Sequence, residues 1–208
     1  MGSKQNYRGL DLFRLVAAIL VIAIHTSPLT SFSADADFFM TKILARVAVP
    51  FFFMATGQFV VPGLLSSANA GPGLLNSADT GRKLAGYLKK ITLLYGIAIL
   101  IYLPIGIYAG HYQELTPYGV IRLLVFDGTF YHLWYFPACI IGVTLLWLMS
   151  RFMGLSGMMA VSGLLYLLGL LGDSYFGLIQ NVPVISTAYQ HAFHAFSYTR
   201  NGLFFAPL

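Results

Sequence analysis

Charge is what this sequence has least of. Seven acids and twelve bases serve 208 residues, 9% in all, where a soluble domain usually carries about 25%. So much apolar surface does not fit into one water-soluble core of this size, which excludes an ordinary soluble enzyme. Cysteine is nearly missing too. Cys139 stands alone in an apolar run, so no internal disulfide can form and no redox role is called for. No G-x-S-x-G elbow, phosphate-binding P-loop or dinucleotide fingerprint occurs. The net charge of +5 does not indicate nucleic acid, because the bases are spread along loop-like segments without interleaved aromatics. The N-terminal apolar run leads into "TSPLTSF", with no small-x-small site, so it does not read as a cleavable signal.

What is present is apolar: 58% of the residues are hydrophobic. Five runs approach bilayer length, at 12–29, 46–65, 84–109, 132–150 and 156–172. A sixth begins near Gly202 and is expected to be cut short at Leu208. The expected fold is all-α, a polytopic transmembrane helix bundle of about five complete spans plus the start of a sixth. "PYGVIRLLVFDG" (117–128) is too short to span and holds Arg122, which reads as an interfacial or re-entrant helix. With the N-terminus inside, eight bases face the cytoplasm (Lys4, Arg8, Arg14, Arg82, Lys83, Lys89, Lys90, Arg151). Four face outward (Lys42, Arg46, Arg122, Arg200), and this asymmetry favours that orientation. The cytoplasmic loop, about 66–83, carries most of a tandem repeat. "PGLLSSANAG" and "PGLLNSADTG" agree at seven of ten positions, a duplication tolerated in a Gly/Pro/Ser-rich connector.

The first run carries chemistry at both ends. "RLVAAILVIAIH" extends from Arg14 to His25. Eleven helical steps make three turns plus about 20° and about 16 Å of rise, so both side chains share one face. Asp11, Ala18 and Val21 fall on the same stripe. With Arg14 at the inner boundary, His25 is expected near the bilayer midplane, where ionisable residues are functional candidates. A histidine can take a proton from a hydroxyl and return it, which suits a general base or a proton relay. It equally suits a structural hydrogen bond between helices. Arg14 is more simply read as a snorkelling cation paired with Asp11.

Other features have plainer readings. In "RVAVPFFFMATG" (46–57), Pro50 should kink its helix, which often marks a cavity wall; a lipid-facing aromatic run explains it as well. "YHLWYFPA" (131–138) reads as an aromatic belt holding His132. In "GDSYFGLIQ" (172–180), Asp173 reads as a helix cap. His191 and His194 in "HAFHAF" are spaced for a shared metal but have no third ligand nearby, so no metal is expected.

Taken with "TRNGLFFAPL" (199–208), these segments carry a resemblance. Arg-x10-His followed by "VPFFFMATG" resembles the acyltransferase-3 family of multi-spanning membrane proteins. The five segments in order resemble one branch, the membrane half of vancomycin-resistance membrane serine racemases, and the resemblance covers the whole chain. It implies transfer of an acyl group from a cytoplasmic acyl-CoA to a hydroxyl on a glycan or small molecule. His25 would match the family's catalytic histidine and Arg14 its paired arginine, placed to meet donor phosphates. The branch implies an alternative, a module feeding L-serine to a racemase domain. That domain, and its pyridoxal phosphate, are not expected within these 208 residues. A partial acyltransferase-3 domain over 1–208 is therefore expected in the lipid bilayer of a bacterial plasma membrane. With the rest of the family's spans outside these residues, the piece by itself is not expected to be active.

Overall fold

A computed structural model describes residues 8–65, 78–113, 116–130, 132–172, 178, 181–185 and 187–188. Most of the tandem repeat, Asp173, both histidines of "HAFHAF" and the start of the sixth apolar run lie outside the described residues. Every described element is helical. In order they are α1 (Arg8–Thr26), α2 (Ala34–Phe38), α3 (Ala48–Leu65), α4 (Ala78–Tyr108), α5 (Pro117–Arg122), α6 (Tyr135–Met149) and α7 (Leu155–Gly172). A π turn, Phe39–Leu44, and a 3-10 turn, Ala45–Val47, join α2 to α3.

Three helical stretches are long and apolar enough to cross a membrane: Arg8–Thr26, Ala34–Pro62 and Gly81–Tyr108. Tyr135–Met149 and Leu155–Leu170 are apolar but shorter. Large apolar side chains such as Leu12, Ile19, Leu100, Ile101 and Ile107 stand exposed along the long helices. Exposed apolar surface on this scale requires a non-aqueous surrounding, so this is a membrane protein.

The second stretch begins well before the expected 46, because α2 and its two turns run into α3 without a break. The irregular turns have a local cause. Pro50 lacks an N–H and its ring crowds the carbonyl four residues back, that of Arg46. The α-helical bonding pattern is accordingly lost through Ala45–Val47, one turn before the proline.

The chain divides into two compact units, Met1–Thr56 and Gly57–Leu208. In the first, α1 packs on the π and 3-10 turns. Ala17 and Ala45 are fully buried, and small residues there let the backbones approach. Phe13 meets Phe51 edge to face, with ring centroids 4.5 Å apart.

In the second unit, α6 lies along the first half of α4. Leu84 and Val143 are buried together, flanked by Val60, Tyr87, Leu88 and Trp147. Leu146, Met149 and Met158 form the next layer and bring α7 in. Arg151 lies over the Trp147 ring at 4.0 Å, a cation–π contact at the α6–α7 turn. At the other end of α6, Phe136 stacks on Tyr95 with centroids 5.5 Å apart.

That last contact sets the depth of the α5–α6 connection. Tyr95 lies thirteen residues before the end of α4, about 20 Å along its axis. The Tyr95 hydroxyl donates to the carbonyls of Leu123 (3.4 Å) and Leu124 (3.2 Å), in the π turn Leu123–Asp127 that follows α5. These carbonyls lie within one tyrosine length of the charge-free stretch 91–108. The segment expected to be interfacial or re-entrant thus reaches deep along α4. It returns past Tyr102, whose ring packs on Phe130 (5.0 Å) and His132 (4.5 Å). At 15 residues, about 22 Å, α6 does not cover a core of about 30 Å, and this elbow occupies the remaining depth beside α4.

Candidate functional site

The helix that carries Arg14 and His25 is uninterrupted from Arg8 to Thr26, with no π or 3-10 turn inside it. The eleven-step arithmetic therefore applies along its whole length, leaving the two side chains about 20° apart on one face and about 16 Å apart in height. The stripe runs along the edge of the packed face. Arg14 and Val21 are half-buried, while Asp11, Ala18 and His25 are exposed. Arg14 Nη1 pairs with Asp11 Oδ1 at 2.8 Å. Both side chains are substantially exposed, 40% and 61%, so the pair orients the guanidinium more than it stabilises the helix.

His25 lies in the last turn of α1. A chain reversal, 27–33, follows at once. If Arg14 marks the inner boundary, this reversal falls inside the apolar layer, where non-helical backbone needs internal partners. It has them. Ser27 N–H donates to the Ala23 carbonyl, Thr30 N–H to Ser27, and both Phe32 and Ser33 N–H groups to Leu29. Pro28 has no N–H to satisfy. Thr26 and Thr30 hydroxyls donate to the carbonyls of Ile22 and Ser27.

The remaining link crosses the reversal. Leu29 N–H donates to Asp37 Oδ1 at 3.0 Å. Asp37 is a buried acid, 8% exposed, on α2. Its own N–H donates to the Ser33 carbonyl (3.0 Å), and its carbonyl accepts from the Thr41 hydroxyl (2.8 Å). Ser33 caps α2 by accepting from Ala36 N–H at 3.3 Å. A charged acceptor thus ties the start of the second span to the chain just past His25. Sequence analysis assigned Asp37 no role and missed this one. The available signal was Ser33, a helix-capping residue, two and four residues ahead of Asp35 and Asp37, with an apolar run immediately after.

The structure keeps Arg14 and His25 on one helix face. Pro50 lies near the start of α3 in the same unit. Among the described residues, no group of three or more His, Cys, Asp or Glu is arranged to hold a metal ion. His132 sits in an aromatic setting with Tyr102 and Phe130, and His111 meets the Phe130 ring edge to face.

Comparison with known proteins identifies the family. The acyltransferase domain of the acyltransferase-3 family matches residues 7–206. An amino-acid racemase of Enterococcus faecalis is 43% identical over 210 residues, covering 100% of this chain and 28% of the relative. A second amino-acid racemase of that organism is 42% identical over 206 residues, covering 99% and 28%. A serine/alanine racemase of Enterococcus gallinarum is 39% identical over 202 residues, covering 97% and 28%. The chain thus spans about 28% of the length of these curated relatives. No solved structure matches. A helical membrane chain matched to one family over nearly its whole length belongs to that family: this is an acyltransferase-3 protein.

Proposed function

We propose that this chain is the membrane domain of a racemase-type acyltransferase-3 protein of the bacterial plasma membrane, with a cytoplasmic N-terminus. Its activity is transfer of an acyl group from acyl-CoA to a hydroxyl acceptor. His25 is the general base: its imidazole takes the proton of the acceptor hydroxyl as that oxygen attacks the thioester carbonyl. The carbon–sulfur bond breaks, and the imidazolium returns the proton to the departing CoA thiolate, giving the ester and free CoA. Arg14, about 16 Å away along the helix toward its N-terminus, contacts the donor phosphates. The observation that carries this reading is the shared face of Arg14 and His25 on an uninterrupted α1 in a chain of this family. In the full-length gene product, His25→Ala should abolish acyl transfer while leaving membrane insertion intact. Retained transfer would remove His25 from the mechanism.

A second reading is favoured by the relatives, which are described as amino-acid and serine/alanine racemases and extend well beyond the matched region. In it the domain delivers L-serine to a racemase domain, without acyl-CoA. Vesicles containing the full-length protein should then take up labelled L-serine, and uptake equal to that of empty vesicles would refute it.

A further inference from the structure

One face of α4 changes character along its length. The helix has 31 residues, about 46 Å, and outruns a bilayer core of about 30 Å. Arg82, Lys83, Lys89 and Lys90 stand exposed on its first part. Leu93, Ile97, Leu100 and Ile101 stand exposed on the part that follows. At 100° per residue, all of these fall within one arc of about 120°. Leu84, Leu88 and Tyr95 fall on the opposite side, which packs on α6. Gly86 lies in the middle of the basic group, and a Cβ added there would meet nothing within 4 Å. An anion can therefore come close to the backbone between the bases. Gly96, beside Leu93 and Leu100, is equally open.

Lys89 and Lys90 mark the edge of the charge-free stretch 91–108. Among the described residues neither makes an ion pair or hydrogen bond. Asp79, at i−3 and i−4 from Arg82 and Lys83, is the nearest acid in sequence, and Lys89 lies about 15 Å farther along the helix. No acid occurs from 81 through 113. Snorkelling accounts for a single lysine at a boundary, and the orientation rule is satisfied by bases anywhere in the loop. Neither accounts for paired bases around a bare glycine on the face that continues as exposed apolar surface. That surface selects an amphipathic occupant. A soluble anion uses only the basic part, and a neutral lipid only the apolar part. A zwitterionic headgroup brings a cation to a face without an acid. A lipid with a net negative headgroup satisfies both parts, and juxtamembrane bases attract such lipids.

We propose that this face of α4 binds an anionic phospholipid of the leaflet at the N-terminal end of the helix. Its phosphate lies on Lys89 and Lys90 beside Gly86, and an acyl chain runs along Leu93, Ile97 and Leu100. Arg82 and Lys83, about 10 Å farther from the core, add to the field that draws the headgroup in. The site uses neither the α1 stripe nor any racemase chemistry.

The test is native mass spectrometry of the 208-residue chain in detergent, titrated with phosphatidylglycerol or with phosphatidylcholine of the same acyl chains. Phosphatidylglycerol should bind roughly tenfold or more tightly than phosphatidylcholine. The double variant K89Q/K90Q should lose that preference, while its phosphatidylcholine binding and circular dichroism stay unchanged. K89R/K90R keeps both charges and should restore the preference. K42Q/R46Q removes two exposed bases from another segment and should leave it intact. Equal binding of the two lipids to the unaltered chain overturns the proposal, whether or not any variant folds. So does a preference that survives in folded K89Q/K90Q, or one lost equally in K42Q/R46Q. Displacement of the lipid by glycerol phosphate at equal concentration would make this a site for soluble phosphate and would also overturn it. His25→Ala should bind phosphatidylglycerol normally, so failure of the acyl-transfer reading leaves this site standing.

Discussion

Replacing Asp37 by alanine should loosen the reversal that follows His25. The carboxylate is buried and accepts the Leu29 N–H at 3.0 Å. Removing it leaves a backbone donor without its charged partner, at a cost of roughly 1.5–3 kcal/mol. The backbone bonds of Asp37 to Ser33 and Thr41 do not need the carboxylate, so α2 should persist. The loss should therefore be local. Each 1.4 kcal/mol corresponds to about tenfold in an opening equilibrium, so Leu29 amide protection should fall roughly ten- to hundredfold. Asp37→Asn retains an oxygen acceptor and should cost only about 1 kcal/mol, a severalfold loss. The assay is hydrogen exchange by mass spectrometry on the protein in nanodiscs, reading a peptide across 27–33. Unchanged protection of this peptide in Asp37→Ala would show that the carboxylate does not hold the reversal. If His25 works from a helix end pinned in this way, acyl transfer in the full-length protein should drop in Asp37→Ala and recover largely in Asp37→Asn.

Three further perturbations separate structure from function. Arg14→Ala breaks an exposed ion pair, so stability should change by less than about 0.5 kcal/mol while the KM for the acyl donor rises. A fall in thermal midpoint of more than about 4 °C, with KM unchanged, would make Arg14 structural. At Gly128 an added Cβ would lie 2.4 Å from the Trp134 nitrogen, at a φ of +78° that L-residues rarely adopt. Gly128→Ala should therefore destabilise the elbow by about 3 kcal/mol or more, seen as a large drop in the detergent melting midpoint; a drop below about 2 °C would contradict the packing. Tyr95→Phe keeps the stack on Phe136 but removes the hydroxyl shared by Leu123 and Leu124, costing about 1 kcal/mol or roughly 2–4 °C. No shift at all would mean that these carbonyls find other partners.

How far the sequence reaches depends on whether a regular period holds. In α1 it does: the helix is unbroken, so the shared face of Arg14 and His25 could be read from spacing alone. The distortion near Pro50 was equally legible, because a missing N–H and a ring clash act within one turn. The boundaries of the second stretch were not, since Ala34–Leu44 continues a helix through a charged, mixed segment that reads locally as a loop.

Composition and periodicity alone thus determined that this is a helical membrane protein, which helix carries the polar stripe, and that 117–128 cannot span. Tertiary structure decided the rest. Arg122 and Asp127 are five residues apart, and α-helical geometry would turn them about 140° away from each other. They meet because the chain switches into a π turn at Leu123, where bonding runs i to i+5. Asp37 likewise has no role that spacing suggests, and only folding brings its carboxylate against Leu29, eight residues back. Both are contacts made where the regular period breaks, and no spacing rule reaches across such a break.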